Sequence, residues 1–390
     1  MWLNLRAWTT VLIAMATAAL TAQIEAQRIS YTKKRHQTAV IKSLGLVGVP
    51  YLALITPFGA AVREAALYVA GRNFLPALMF EFLLLVTPIT CAFWVSEWLQ
   101  HRLDMQFGIS VQSARSLIAD IAKRTLLRTG LWWGAFCIVY GASLLFSADW
   151  WLAAGLALGL VTVGYIVIFP ALVLPHFIKM SPLSDDELCA RIQALCDRAG
   201  VKVHRFCQLH MSAQSKRSNL AIAGLGSSRA LLITDTALQE CSKEELEALV
   251  AHELGHVWHH HMEKRAITLA CLNIASCWIA SHTLSLFDVS LRDMGSFPAV
   301  WVALMTANLV GLFLILRIWR RNEFAADDFA FRLMQDTTPF VTGLAKLSEK
   351  NLIHVTEENQ HRFAHPATEE RIRRAKRFMS TSRAAATAAC

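Results

Sequence analysis

The stretch His252-Glu253-Leu254-Gly255-His256 decides how this sequence is interpreted, because it combines two metal-binding side chains with a general base. Side chains four residues apart lie one above the other on the same face of an α-helix, so both imidazoles can bind one ion. Glu253 then lies beside the remaining coordination position and can take a proton from a bound water. The stretch therefore predicts a helical zinc site, with one Zn²⁺ per chain.

The residues before the motif predict the helix that carries it. Ser242 and Glu245 have the spacing of a capping box, and Leu246, Leu249 and Val250 continue at helical spacing into the motif. Further upstream, a helix is predicted from its N-cap at Ser184 to Cys196. Strands are predicted at Val201–Leu209, Ser218–Ala223 and Ala230–Thr234. The motif thus belongs to a polar α+β segment.

The composition indicates a membrane protein. The 390 residues are 55% hydrophobic and only 17% charged, with a mean hydropathy of +0.39, which is too apolar for an ordinary soluble domain. The nine cysteines show no paired spacing, so no disulfide framework is predicted. Anionic lipid headgroups account for the net charge of +9, because no basic patch interleaved with aromatic residues indicates a nucleic-acid partner.

Seven apolar windows have the length of membrane spans. They run from Leu3 to Ala22, Leu44 to Ala70, Phe74 to Trp98, Gly130 to Phe146, Trp151 to Leu174, Ala266 to Phe287, and Phe297 to Ile318. Basic residues concentrate in segments 24–43 and 99–129, so the positive-inside rule places these connections and the His252 segment in the cytosol. The first window also resembles a cleaved secretory signal, but cleavage would translocate the basic 24–43 segment, and an uncleaved span is predicted.

A catalytic zinc site normally has three protein ligands, so one must come from outside the motif. The design with a glycine three and a histidine six residues after the second histidine is excluded, because those positions are His259 and Met262. His259 lies one turn too far along the helix, and we interpret His259–His261 as a solvated collar before the sixth span. Glu323, after the seventh span, is the better candidate, with Asp327 one turn on. In isolation, these carboxylates would be interpreted as a solvated pair beside neighbouring arginines.

Three stretches together resemble the M48 metallopeptidases: the His252–His256 motif, Arg320–Asp327 and His365–Arg371. The sequence is most similar to the Ste24 type, the CaaX prenyl protease, because it has N-terminal spans that the smaller HtpX type lacks. His101–Gly108 also resembles the loop before the fourth span of the Ste24 type. The resemblance implies a mainly α-helical polytopic membrane protein with about seven transmembrane helices and a cytosolic zincin-like (gluzincin) α+β catalytic domain.

The resemblance also implies a domain organisation and a role for each matched residue. The expected parts are an N-terminal region of five spans (1–175), a catalytic domain with the edge strand and the motif helix (176–264), two further spans (265–318), and the third-ligand helix with the rest of the catalytic domain (319–390). The implied zinc ligands are His252, His256 and Glu323, with Asp327 behind them. The implied catalytic residues are Glu253, His365 and Arg371, and the implied substrate-binding residues are Asn219, Leu220 and Ala221. The family's edge-strand aromatic residue is absent here, which leaves substrate preference open.

The sequence therefore predicts an integral, multi-pass membrane zinc metalloendopeptidase whose catalytic domain faces the cytosol, in a bacterial inner membrane or a eukaryotic ER-type membrane. Its partners would be the lipid bilayer and a peptide or protein substrate, either a prenylated C-terminus or a membrane protein. The alternatives are an HtpX-like quality-control protease with no prenyl requirement, a non-catalytic scaffold, and a transporter. The scaffold is disfavoured because every matched catalytic residue is present, and the transporter because no symmetric repeat is visible.

Overall fold

The protein is described by a computed structural model that covers residue 23 and residues 25–71, 73–293, 295–352 and 366–389. It is mainly helical, with one small sheet. The helices are α1 (Glu25–Ile55), α2 (Pro57–Val69), α3 (Phe74–Gln106), α4 (Ala114–Leu145), α5 (Trp150–Ile168), α6 (Asp186–Ala199), α7 (Asp235–Glu240), α8 (Lys243–Trp258), α9 (His261–Leu286), α10 (Phe297–Met334), α11 (Thr338–Lys350) and α12 (Thr368–Ala389). The strands are β1 (Met180–Pro182), β2 (Arg205–Leu209), β3 (Leu220–Ala223) and β4 (Ala230–Thr234).

Five of the described helices are long and apolar enough to cross a membrane: α1, α3, α5 with its flanking turns (Ser147–His176), α9 and α10. The third, fifth, sixth and seventh predicted spans lie in α3, α5, α9 and α10. The fourth lies in α4, which is not among the five, and the first lies outside the described residues. The predicted helical membrane architecture is therefore confirmed, whereas the count of seven is not.

The second predicted span, Leu44–Ala70, is wrong in its bounds. The helix through Leu44 begins at Glu25, so the basic segment predicted as a connection is helical. It ends at Ile55 because Thr56 adopts an extended conformation (φ −125°, ψ 164°) before Pro57, and a residue that precedes proline avoids the α region. The apolar window therefore comprises the end of one helix and a second, separate helix.

Two glycines on α5 let this helix pack closely against α9. A Cβ atom at Gly155 would lie 2.6 Å from Ile274 Cα, and one at Gly159 would lie 3.2 Å from Ala270 Cβ. Small residues at i and i+4 allow such backbone contact between helices in lipid, where packing rather than water exclusion holds helices together. This contact joins the N-terminal membrane region to the helix that directly follows the motif.

Helix α10 runs through the seventh predicted span and continues far past it. With 38 residues and a rise of 1.5 Å per residue, it is about 57 Å long, whereas the hydrocarbon core of a bilayer is about 30 Å thick. Its C-terminal part, which carries Glu323 and Asp327, therefore extends beyond the membrane. The predicted third-ligand helix is thus a continuation of the span.

The polar part of the chain folds around a four-stranded sheet with the order β1-β2-β4-β3. β2 and β4 are parallel, whereas β1 and β3 pair antiparallel with β2 and β4, respectively. One face packs against α6 and α8 through a buried cluster that includes Leu188, Ile192, Ile233, Leu246 and Leu249. The predicted strands at Val201–Leu209 and Ser218–Ala223 are shorter in the structure, and β1 is additional to those predicted.

Both predicted helix starts in this segment are close to those observed. The Ser242 hydroxyl accepts from Glu245 N–H while Ser242 N–H donates to the Glu245 carboxylate, so the predicted capping box is present. The N-cap of α6 is Asp185, whose carboxylate accepts from Leu188 N–H, one residue after the predicted Ser184. Acidic and hydroxyl side chains both satisfy this position, which explains the shift.

Strand β3 lies at the edge of the sheet and is anchored at its N-terminal end by elements from outside it. The connection between α3 and α4 pairs with the segment before β3, because Lys216 N–H donates to Ile109 O at 2.8 Å and Val111 N–H donates to Gln214 O at 3.1 Å. The Asn351 amide accepts from Ser218 N–H at 3.1 Å and donates to Ser218 O at 2.8 Å. The membrane region and the C-terminal part therefore both fix the start of this strand.

The close contact of α5 and α9 makes Gly155 sensitive to substitution. We expect Gly155→Ala to lower stability by about 1–3 kcal/mol, because a new methyl group must displace the backbone of α9. The melting temperature in detergent should fall accordingly. Gly164→Ala on the same helix is the matched control, since a Cβ atom there would meet nothing within 4 Å, and equal melting of the two variants would contradict the packing argument.

Candidate active site

The site forms where α8 and the extension of α10 cross in close contact. A Cβ atom at Gly255 would lie 2.9 Å from both the Cα and the carbonyl oxygen of Ala326, which is too close for any residue but glycine. Gly255 lies inside the His-Glu-x-x-His motif, and Ala326 lies between Glu323 and Asp327. The absence of a side chain at Gly255 therefore lets the two helices bring their polar residues together.

Two imidazoles and one carboxylate converge at this crossing. The Nε2 atoms of His252 and His256 lie 3.1 Å apart. Glu323 Oε2 lies 3.6 Å from His252 Nε2, and Glu323 Oε1 lies 3.4 Å from His256 Nε2. One donor atom from each residue lies within 4.8 Å of the others, so we call these three residues the donor triangle. Two imidazole nitrogens and a carboxylate oxygen are a donor set that suits zinc.

A buried ion pair supports the donor triangle from behind. His252 Nδ1 lies 2.9 Å from Asp327 Oδ1, and Asp327 is fully buried. Arg371, which is also buried, donates to both Asp327 oxygens, at 2.7 Å from Nη2 and 2.9 Å from Nε. A carboxylate that accepts the second ring N–H of a ligand histidine fixes the orientation of the ring. Arg371 in turn compensates the charge of the Asp327 carboxylate, which would be costly to bury without a partner.

The electrostatics of the site favour a positive charge between the imidazoles and the carboxylates. Burial and the nearby Arg371 guanidinium lower the pKa of His252. The Asp327 and Glu323 carboxylates raise this pKa by more than burial and Arg371 lower it, so the pKa of His252 is about 9. Burial and the neighbouring His252 lower the pKa of His256 to about 3. The carboxylates thus stabilise a positive charge on His252, whereas burial and His252 itself disfavour a second one on His256.

Glu253 connects the donor triangle to the edge strand. Its Oε2 accepts a hydrogen bond from Ile222 N–H of β3 at 3.3 Å. Glu253, His256 and Glu323 line one cleft of about 290 Å³ together with the edge strand, and Asn219, Leu220 and Ala221 lie along the same cleft. The structure therefore brings the predicted base, two of the predicted ligands and the predicted substrate-binding residues to a single cleft.

Of the other two predicted catalytic residues, the structure describes only Arg371. It lies at the start of α12, where it donates to Asp327 and its Nη1 lies 3.8 Å from Glu323 Oε2. Its predicted role at a scissile carbonyl stays a prediction. His365 lies outside the described residues, so its predicted role stays a prediction.

The cleft also contains residues to which the sequence analysis gave no role at the site. They lie at the starts of α9 and of the α10 extension, and on the turn before β4: Arg229, His261, Met262, Glu263, Arg265, Trp319 and Asn322. Arg229 is neutralised by Glu263 at 2.5 Å, and the Arg265 guanidinium lies 3.9 Å from the centre of the Trp319 ring. No sequence pattern marks these residues, because the crossing of α9 and α10 brings them together.

The predicted solvated collar is wrong for His261. His260 is largely exposed, as expected, but His261 is only 8% exposed and lines the cleft. The chain breaks between α8 and α9 and turns His261 inward, whereas the collar assumed that the motif helix continues straight.

Comparison with known proteins agrees with this geometry. The family model for peptidase family M48 matches residues 182–379. An uncharacterised metalloprotease of Bacillus subtilis is 20% identical over 86% of this chain and 82% of its own length. The CAAX prenyl protease 1 of Saccharomyces cerevisiae is 24% identical over 69% of this chain and 65% of its own length. A protease HtpX homologue of Helicobacter pylori is 26% identical over 33% of this chain and 43% of its own length. The chain thus spans less than two thirds of the prenyl protease.

A solved structure shares the fold over almost the whole chain. The crystal structure of Ste24p from S. mikatae superposes with a TM-score of 0.76 at 21% sequence identity and covers 90% of this chain and 88% of that protein. The family match shows that the chain belongs to peptidase family M48 and is a metallopeptidase, with a fold similar to that of Ste24p.

Proposed function

We propose that the chain is a zinc-dependent endopeptidase in which His252, His256 and Glu323 hold the metal and Glu253 is the general base. The observation that carries this proposal is the position of Glu253, which lines the same cleft as His256 and Glu323 and accepts a hydrogen bond from the edge strand. Such a carboxylate is within reach both of a water at the metal and of a peptide bound along β3. The donor set, a buried imidazole, a half-buried imidazole and a carboxylate, supports zinc as the metal.

The chemistry divides between the metal and the chain. Zinc bound at the donor triangle supplies Lewis-acid activation of a water and of the scissile carbonyl. Glu253 takes a proton from the attacking water and later delivers it to the nitrogen of the leaving amine. Asp327 and Arg371 keep His252 oriented, so that its Nε2 lone pair points toward the metal position. We keep His365 as the candidate for stabilising the oxyanion.

The edge strand supports a way to hold the substrate. Among the described strands, β3 pairs only with β4, so its other edge faces the cleft. An extended peptide can add to this edge by backbone hydrogen bonds, which bind many sequences with little discrimination. Asn219, Leu220 and Ala221 would contact the bound strand. Because β3 is short, the pairing would order only a few residues around the scissile bond.

We propose that substrates reach the cleft from the membrane side, with a prenylated C-terminus as the favoured class. Arg265 and Trp319, which belong to two of the helices long and apolar enough to cross a membrane, line the cleft. The prenyl protease relatives support a lipid-modified substrate. The HtpX-type relative supports the alternative, a membrane protein cleaved without any prenyl requirement. A wide specificity of the edge strand is compatible with either class.

We also propose that the catalytic part faces the cytosol. Tyr31 on α1 donates to Asp104 near the end of α3 at 2.7 Å, and Arg217 before β3 contacts the same carboxylate at 3.2 Å. The basic segments of α1 and α3 therefore lie on the same side as the catalytic residues. The positive-inside rule assigns this side to the cytosol. Membrane and catalytic parts then alternate along the chain, in the order 1–175, 176–264, 265–318 and 319–390.

The role of Glu253 is testable by removing its basicity alone. We expect Glu253→Gln to keep one zinc ion per chain and to lower the rate of peptide hydrolysis by about 10²–10⁴-fold or more, since an amide cannot accept the proton. Zinc content by mass spectrometry and turnover of a quenched peptide are the two measurements. Glu244→Gln, on the exposed face of the same helix, is the control, and unimpaired turnover by Glu253→Gln would refute the assignment.

The crossing of α8 and α10 gives a second test that separates metal binding from base catalysis. Gly255→Ala should push the two helices apart, withdraw Glu323 from the histidines and lower zinc affinity by at least about tenfold, a loss typical of disturbed ligand placement. Competition with a chromogenic chelator measures this affinity. Retention of wild-type affinity in a folded Gly255→Ala protein would show that the close contact is not needed for the site.

Cleavage rates on three substrates distinguish the two proposed substrate classes. Purified protein should cleave a farnesylated peptide faster than its unmodified twin, by at least about tenfold if apolar contacts with the lipid chain contribute to binding. An unfolded protein serves as the third substrate, and a chelator should abolish all cleavage. Equal rates on the two peptides, with cleavage of the unfolded protein, would favour the quality-control alternative.

A further inference from the structure

We propose that His261 is a positioning residue that accepts a hydrogen bond from His256 and thereby fixes the ring of this ligand. The inference rests on the proposed function, because it assumes that His256 Nε2 faces the metal. His256 Nδ1 lies 2.9 Å from His261 Nδ1, within hydrogen-bonding distance. His261 is 8% exposed, so this contact is largely shielded from water.

The geometry of both ligand histidines follows the same plan. Each presents Nε2 to the donor triangle and Nδ1 to a buried acceptor: for His252 this acceptor is Asp327 Oδ1 at 2.9 Å. An imidazole that binds metal through Nε2 carries its proton on Nδ1 and donates it to a neighbour. His256 therefore needs an acceptor, and among the described residues His261 lies at its Nδ1.

This requirement also determines the tautomer of His261. Two ring nitrogens form a hydrogen bond only if one carries the proton and the other a lone pair. Since His256 Nδ1 carries the proton, His261 Nδ1 is the acceptor and the proton of His261 is on Nε2. His261 thus serves as a neutral acceptor, where His252 has the anionic Asp327. The two acceptors, His261 and Asp327, therefore differ in charge. A neutral His261 adds no negative charge to the cleft, as a second carboxylate at this position would.

The backbone between α8 and α9 is shaped to place His261 at this position. Five residues along a continuous helix correspond to about 500° of rotation, so in a straight helix His261 would lie on a different side from His256. The structure avoids this through a break at His260, which adopts the left-handed conformation (φ 55°, ψ 37°). A non-glycine residue pays a conformational penalty in this region, and such strain is typical of functional sites.

Aromatic packing holds the ring of His261 in place. It stacks on His259, with ring centres 5.2 Å apart and an angle of 11° between the planes. The ring planes of His256 and His261 form an angle of 65°, with ring centres 5.1 Å apart. In this arrangement the two Nδ1 atoms lie 2.9 Å apart. The contact of His261 is with Nδ1 of His256, on the side away from the donor triangle. This position fits support of a ligand and not a fourth ligand.

The test compares two substitutions of similar size that differ in hydrogen bonding. His261→Leu should lower the zinc affinity of the full-length protein in detergent by about 10–100-fold, the usual loss when an outer partner of a ligand is removed. His261→Gln, whose amide oxygen can accept from His256 Nδ1–H, should recover most of this affinity. Competition with a chromogenic chelator measures the affinity, and His282→Leu on the same helix is a control remote from the site.

A spectroscopic readout separates positioning from a general loss of structure. With Co²⁺ in place of zinc, His261→Leu should change the visible absorption of the ion, whereas His261→Gln should resemble the wild type. Should the leucine variant not fold, His261→Phe keeps the ring stacking without an acceptor and is measured in the same way. Equal affinities and spectra for the wild type and a folded leucine or phenylalanine variant would overturn the inference alone. A wild type that binds neither zinc nor cobalt would overturn the proposed function with it.

Discussion

The site depends on one steric constraint, the contact between the backbones of α8 and α10 at Gly255 and Ala326. Nothing larger than a hydrogen atom fits on the α8 side of this contact. Because the helices touch there, residues one turn away on each helix meet at distances suited to a shared ion. The glycine of the motif is therefore as much a part of the site as its histidines, although it carries no functional group.

Around this contact the chain arranges a layered set of polar groups. The donor triangle lies innermost, and buried partners on both sides restrain its two imidazoles. Arg371 from α12 neutralises the charge of Asp327 and ties the C-terminal helix to the motif helix. Such a network is stable only when every buried charge is paired, which explains why residues from three separate parts of the chain contribute to it.

The sequence predicted those features that local periodicity controls. The capping box at Ser242, the helical motif and the common face of Glu323 and Asp327 all depend on spacing within one helix, and the structure shows these elements as predicted. It could not predict the position of His261, because a left-handed residue at His260 redirects the chain and nothing in the composition of three successive histidines reveals such a break. The extent of α1 was missed for a related reason, since hydropathy does not detect that a basic segment is helical. Arg371 was singled out by resemblance, but its contact with Asp327 follows only from tertiary packing.

Because α10 is continuous, the proposed ligand Glu323 belongs to a rigid rod that includes a segment long and apolar enough to cross a membrane. The position of its carboxylate therefore depends on the tilt of this segment as well as on contacts with α8. Hydrophobic mismatch changes the tilt of such a rod, and any change of tilt that α8 does not follow alters the distance between carboxylate and imidazoles. The close contact between Gly255 and Ala326 resists such a change in distance. We therefore expect lipid chain length to affect the spacing of the proposed ligands.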